Sequence, residues 1–158
     1  MPRYFDNAPF QTVAWKRFPN GEILQIPLAL AVSDEENDLV VYRFDEKILR
    51  ENRNIPKIKP LKLAAKLPAI GEEALSIGYY GEYEFPFNSL GNIAMIDKND
   101  DIFSDLTLMP GNSGAPVLNL ETGEVLGVTT SVLDLGNETV RYGIAKKSAK
   151  LAELMKKL

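Results

Sequence analysis

Short apolar runs broken by turn residues fill most of this chain, and this pattern restricts it to a fold made of many short strands. Residues 10–18 alternate and end at Pro19-Asn20-Gly21, a hairpin-type signal. Residues 22–32 form a second run, closed by the polar stretch Ser33-Asp34-Glu35-Glu36-Asn37. Residues 38–44 (DLVVYRF) have the β-branched and aromatic character of a buried strand. Residues 45–60 are charged, carry Pro56 and Pro60, and read as a connection between two lobes. Further strands are predicted at 74–80, 90–96, 115–119, 125–132 and 139–145, the last three separated by Glu121-Thr122-Gly123 and Leu135-Gly136-Asn137. The period then changes. Leu151, Leu154, Met155 and Leu158 share one helix face, with Lys156 and Lys157 in the last turn. The pattern predicts an all-β barrel or sandwich with a C-terminal α-helix.

The 158 residues suit a single domain, here of two small lobes at about 1–55 and 60–145 with the helix over 146–158. Net charge is −4 with scattered lysines and arginines, which argues against a nucleic-acid surface. Cysteine and histidine are both absent, so thiolate chemistry is excluded and a zinc site would need carboxylates alone; no cofactor or metal is expected. No apolar run reaches membrane-spanning length and Met1-Pro2-Arg3-Tyr4 does not begin a signal peptide. The chain therefore reads as soluble and without a membrane partner. It would be cytoplasmic if Met1 is the true start, and its compartment is otherwise open.

Met109-Pro110-Gly111-Asn112-Ser113-Gly114-Ala115-Pro116-Val117 is the stretch that carries chemistry. Glycines on either side of a serine permit a sharp turn and a close approach of backbone amides to a ligand. A hydroxyl presented this way can attack a carbonyl while nearby N–H groups receive the developing oxyanion. A plain glycine-rich turn would look the same in isolation.

With its surroundings, the stretch resembles the trypsin/chymotrypsin-like serine proteases, in particular the HtrA/Deg branch. That family's P-G-N-S-G-G-P motif is matched by Pro110 to Pro116, with Ala115 in place of a glycine. Ser104-Asp105-Leu106 resembles T-D-A, and Tyr142-Gly143-Ile144-Ala145 resembles the segment leading into the last helix. Asn37-Asp38-Leu39-Val40-Val41-Tyr42 is similar to the strand that carries the triad aspartate. Leu75 to Tyr79 and Ser89 to Ile93 are similar to two further strands, all in order. The resemblance implies a chymotrypsin-like double β-barrel whose first barrel is incomplete. It implies Ser113 as nucleophile, Asp38 as the carboxylate that orients the base, and an oxyanion hole at Gly111, Asn112 and Ser113. The S1 pocket would draw on Thr107, Thr130, Ser131, Val132 and Gly143. No acidic residue stands at Thr107, which points to a small or medium apolar P1 side chain.

Plainer readings stand beside these. Asp38 could cap a turn, the carboxylates at 72–73 and 97–101 could be solvated turns, and Tyr79, Tyr80 and Tyr83 could pack rather than line a wall. The general base is the missing part. By the family layout its histidine should fall near Asp6-Asn7-Ala8-Pro9, where proline cannot transfer a proton. Three explanations stay open: a fragment lacking the histidine-bearing strands, a pseudoprotease that kept the serine loop, or a lysine base drawn from Lys16, Lys146 or Lys147. Without the base, hydrolysis falls to what binding and the oxyanion hole supply, yet an extended peptide or unfolded protein segment could still bind by strand addition. An incomplete first lobe also favours homo-oligomers through its edge. No PDZ-like segment follows Leu158, so HtrA-type regulation is not implied.

Overall fold

Alternation of side chains, rather than helix propensity, decides the local structure. The computed structural model describes residues 12–17, 23–44, 47, 51, 59–79, 86–109, 111–134 and 141–158. The strands are β1 (Thr12–Arg17), β2 (Ile23–Asp34), β3 (Leu39–Phe44), β4 (Glu73–Tyr79), β5 (Pro86–Ile96), β6 (Ile102–Ser104), β7 (Pro116–Asn119), β8 (Val125–Asp134) and β9 (Arg141–Lys147). The helix α1 spans Ser148–Met155. The predicted all-β chain with a terminal helix is what forms. One strand, β6, was not foreseen, and β5 begins four residues earlier than its apolar run (Pro86 against Leu90).

One sheet is formed before residues 45–60 in the chain and another after them. The first is antiparallel with order β1-β2-β3, and the second closes into a barrel in the order β4-β5-β6-β9-β8-β7. Within β4, Ala74, Ser76 and Gly78 point inward while Glu73, Ile77 and Tyr79 are exposed, the two-residue period of a half-buried strand. Tyr79 is thus on the outer surface rather than packed; Tyr80 and Tyr83 lie outside the described residues. The barrel interior is filled by Ala74, Ile93, Ile102, Leu106, Val117, Leu126 and Ala145, with Ala64 entering from the segment that precedes β4. That segment is held by Ala64 N–H to Val125 O and Val125 N–H to Lys62 O. On the first sheet, Leu30, Val40 and Phe44 are exposed.

Helix α1 packs against strands of both sheets: β2 and β3 of the first, β8 and β9 of the barrel. Its buried side chains are Ser148, whose Oγ donates to Ala64 O at 2.7 Å, and Leu154. Met155 and Leu158 are exposed, so the apolar stripe read from the sequence is buried only in part. The helix ends at Met155. Lys156 is its C-cap, with an N–H that donates to Ala152 O and Glu153 O, so the two lysines follow the last turn rather than occupy it. No helix among the described residues is long and apolar enough to cross a membrane.

Two turns are built on aspartates. Asp34 accepts the Asn37 N–H (3.1 Å) and side-chain amide (2.9 Å), and these bonds, with the Lys157 charge adding to them, hold its carboxyl below the ordinary 3.8. Asp97 accepts the N–H groups of Asp101 and Asn99, both at 2.8 Å, and its carboxyl is lowered first by the Asp101 bond. Both groups resist protonation more when folded than when unfolded. Their contribution to stability is therefore complete above pH 3.8 and lost as the pH falls below it. Carbon-detected NMR titration should show both carboxyls titrating below 3.8, and Asn37→Ala should return Asp34 alone toward that value. Turn capping at 34–38 is thus the work of Asp34, not of Asp38.

The remaining carboxylates of the 97–101 turn are not simply solvated. Asp101 pairs with Lys146 at 2.5 Å and Asp100 pairs with Lys147, tying the β5–β6 turn to β9. Glu72 likewise serves the structure, accepting the Ala69 N–H at 2.8 Å and the Asn119 amide at 2.5 Å.

Candidate active site

The Ser113 turn is suspended between two strands of the barrel. On its C-terminal side it is laced to β8: Gly114 N–H donates to Thr129 O at 2.7 Å, and Thr129 N–H donates to Ala115 O at 2.9 Å. On its N-terminal side Asn112 closes a small ring with Met109. The Asn112 N–H donates to Met109 O, and its Oδ1 accepts the Met109 N–H, both at 3.0 Å. The Asn112 side chain is almost fully buried, at 2% exposure, and rests on Gly78 of β4. Gly111 and Gly114 adopt φ of 101° and 88°, the left-handed region in which a side chain would be strained. That is the physical reason the serine has a glycine after it and another two residues before it.

One consequence of this lacing concerns the amides. Those of Asn112, Gly114 and Ala115 are all committed to protein carbonyls. Those of Gly111 and Ser113 have no acceptor among the described residues. Asn112, grouped with the oxyanion residues from sequence, has its N–H turned to Met109 and its side chain inward, so it holds the turn in shape. Ser113 is exposed and its hydroxyl leans toward Thr130 O at 3.4 Å, a long contact.

Of the residues named for the pocket, Thr130 is the one whose carbonyl faces the Ser113 hydroxyl among the described contacts. Thr130 sits at an irregularity where the β8–β9 register shifts, and its Oγ1 is 3.5 Å from Ile144 O. Ser131 and Val132 are exposed. Ser131–Leu133 pair with β9 on one side, while β7 stops at Pro116 opposite Val128, so the other side has no strand among the described residues. Thr107 is exposed and offers only its N–H, to Ser89 Oγ at 2.7 Å. Gly143 is buried beneath Leu108: a Cβ there would lie 3.0 Å from Leu108 Cγ and 3.2 Å from Ser104 Oγ. Leu108, which the sequence did not single out, is therefore the side chain that packs over Gly143 of β9.

Asp38 belongs to the other sheet. It is exposed at the end of the β2–β3 turn and adopts a φ of 51° immediately before β3. The segment around Pro9 and the single residue Pro110 lie outside the described residues, as does the side chain of Lys16. Lys146 and Lys147 are paired with Asp101 and Asp100, so both side chains are tied to the β5–β6 turn. Among the described residues no group of acidic side chains could hold a metal ion.

Comparison with known proteins adds three findings. The sequence matches the trypsin-like peptidase domain family over residues 4–128. The serine endoprotease from Yersinia pestis, known from its crystal structure, superposes with a TM-score of 0.68 at 25% identity, over 92% of this chain and 48% of that one. The crystal structure of Deg5 gives a TM-score of 0.66 at 19% identity, over 88% and 63%. The chain thus spans less than two thirds of the length of either structure. No curated protein matches it in sequence.

Proposed function

Because the chain belongs to the trypsin-like peptidase family, with a chymotrypsin-like fold and HtrA/Deg structural neighbours, we propose that Ser113 marks a serine-endopeptidase cleft that engages extended peptide and, in this histidine-less chain, hydrolyses it at best very slowly. The observation that carries the reading is the pattern of amides in the turn. Among the described residues, Gly111 and Ser113 keep theirs free while every amide between and just after them is bonded. That is what an oxyanion site requires, because donors already committed to carbonyls cannot stabilise a developing charge. The unpaired side of β8 next to Ser113 offers a peptide backbone a strand to add to, which needs no base. Leu108 over Gly143 favours a small or medium apolar side chain in the neighbouring pocket.

In this reading Ser113 is the nucleophile, Asp38 the orienting carboxylate, and Gly111 and Ser113 supply the amides. No agent of proton removal is identified among the described residues: histidine is absent and two of the three candidate lysines are paired. Hydrolysis is then limited to about 10³–10⁴ over the uncatalysed reaction. The non-catalytic reading, a peptide-binding module, draws on that same absence.

A fluorophosphonate separates the two. Attack of Ser113 Oγ forms an O–P bond and expels fluoride, and the hydroxyl proton passes to solvent. The protease reading expects added mass on Ser113 that Ser113→Ala abolishes. Unmodified Ser113 in a chain that still binds extended peptide would leave the binding module. Neither labelling nor peptide binding would remove both.

A further inference from the structure

Residues 105–109 form no strand, yet they lead directly into the Ser113 turn. Side chains take over the work a ladder would do there. Asp105 N–H donates to Asn92 O at 3.1 Å, and Asp105 Oδ1 accepts the Asn92 N–H at 2.5 Å. That carboxylate can approach because residue 91 is glycine: a Cβ there would collide with Asp105 Oδ1 and lie 3.2 Å from Leu106 N. Two residues on, Ser89 Oγ accepts the Thr107 N–H at 2.7 Å. Ser89 is 5% exposed, inside the barrel, where a hydroxyl is costly unless it is bonded. The N-terminal limb of the turn is thus fastened to β5 by Ser89 and Asp105, as its C-terminal limb is fastened to β8 by Gly114 and Ala115.

We propose that Ser89 and Asp105 are positioning residues for the Ser113 site, fixing the 105–109 limb on β5 so that the amides of Gly111 and Ser113 hold one geometry; this rests on the reading of Ser113 as the reacting group. Neither residue touches a substrate. They act through Thr107 and Asn92 on the point where the chain enters the turn. A displacement of about 1 Å there is enough to cost about 100-fold in a preorganised site.

The test compares two ligands on the full chain: a peptidyl boronic acid with a small apolar terminal side chain, and the same peptide ending in a carboxamide. Addition of Ser113 Oγ to boron makes it tetrahedral and releases the hydroxyl proton to water, and boron-11 NMR reports the change. The wild type should bind the boronate more tightly than the carboxamide, and Ser113→Ala should erase that advantage. If Ser113→Ala retains it, or the wild type shows none, the reading of Ser113 itself fails and the proposal with it. With the advantage established, Ser89→Ala should reduce it about tenfold or more, and Ser89→Thr, which keeps the hydroxyl, should restore it. Carboxamide affinity should change little, which a merely structural loss would not predict. Asp105→Ala, at an exposed position, should behave like Ser89→Ala and supplies the test if the latter does not fold. A folded Ser89→Ala or Asp105→Ala chain with the full wild-type advantage overturns the positioning role while leaving Ser113 in place.

Discussion

Replacing Gly78 with alanine should cost about 3 kcal/mol of stability, at the upper end for an overpacked site, and abolish reaction at Ser113. Gly78 lies in β4, with no covalent proximity to the turn, so the effect comes from contact alone. Its Cβ would run into the Asn112 amide, lying 3.0 Å from Asn112 Cγ and 3.3 Å from the Ala115 Cβ. Asn112 cannot swing aside cheaply because its Oδ1 holds the Met109 N–H and its N–H holds Met109 O. Ala115 is fixed through its carbonyl to Thr129. Urea unfolding and fluorophosphonate labelling measure the two effects. The double variant Gly78→Ala with Asn112→Ala should recover part of the stability lost by the first, since the second removes the colliding amide. Additive losses would show that the contact does not operate.

Asn112→Asp should be the other large change, and its size should depend on pH. The side chain is 2% exposed, and one of its polar ends accepts a backbone N–H while the other faces Gly78. A carboxylate of nearly the same shape would be deprived of water there, and burial raises a carboxyl's pKa. A raised folded pKa means the unfolded chain ionises first. The penalty is absent below about pH 4, grows as the pH rises, and reaches about 3 kcal/mol near neutrality. Unfolding curves at pH 4 and pH 7 check it. A pH-independent loss would show that the site admits solvent.

Strand alternation and turn residues make most of the fold legible in the sequence alone. The runs at 74–80 and 125–132 fall almost where β4 and β8 form, because inward Ala74, Ser76 and Gly78 alternate with outward residues along one continuous ladder. β6 was not legible: three residues, Ile102–Ser104, are too few to display a period, and tertiary pairing with β5 and β9 makes them a strand. β5 extends back to Pro86 through Asn88 and Ser89, polar residues that hid its beginning. At the site, glycine spacing pointed to Ser113 and its amides, since left-handed backbone has a compositional signature. The roles of Ser89, Leu108 and the inward Asn112 side chain had none. Each depends on what packs opposite, and that is set by register rather than by neighbouring letters.

The shortest strand also marks one place where the barrel would give way. β6 contributes three paired residues on each side, so the seam there relies on the two charged clasps that join Asp100 and Asp101 to Lys147 and Lys146. Like the seams of β7, which also hold three pairs each, it is a place where partial opening needs little work. The first side chain it would wet is Ile102, which has no solvent contact at all in the closed barrel.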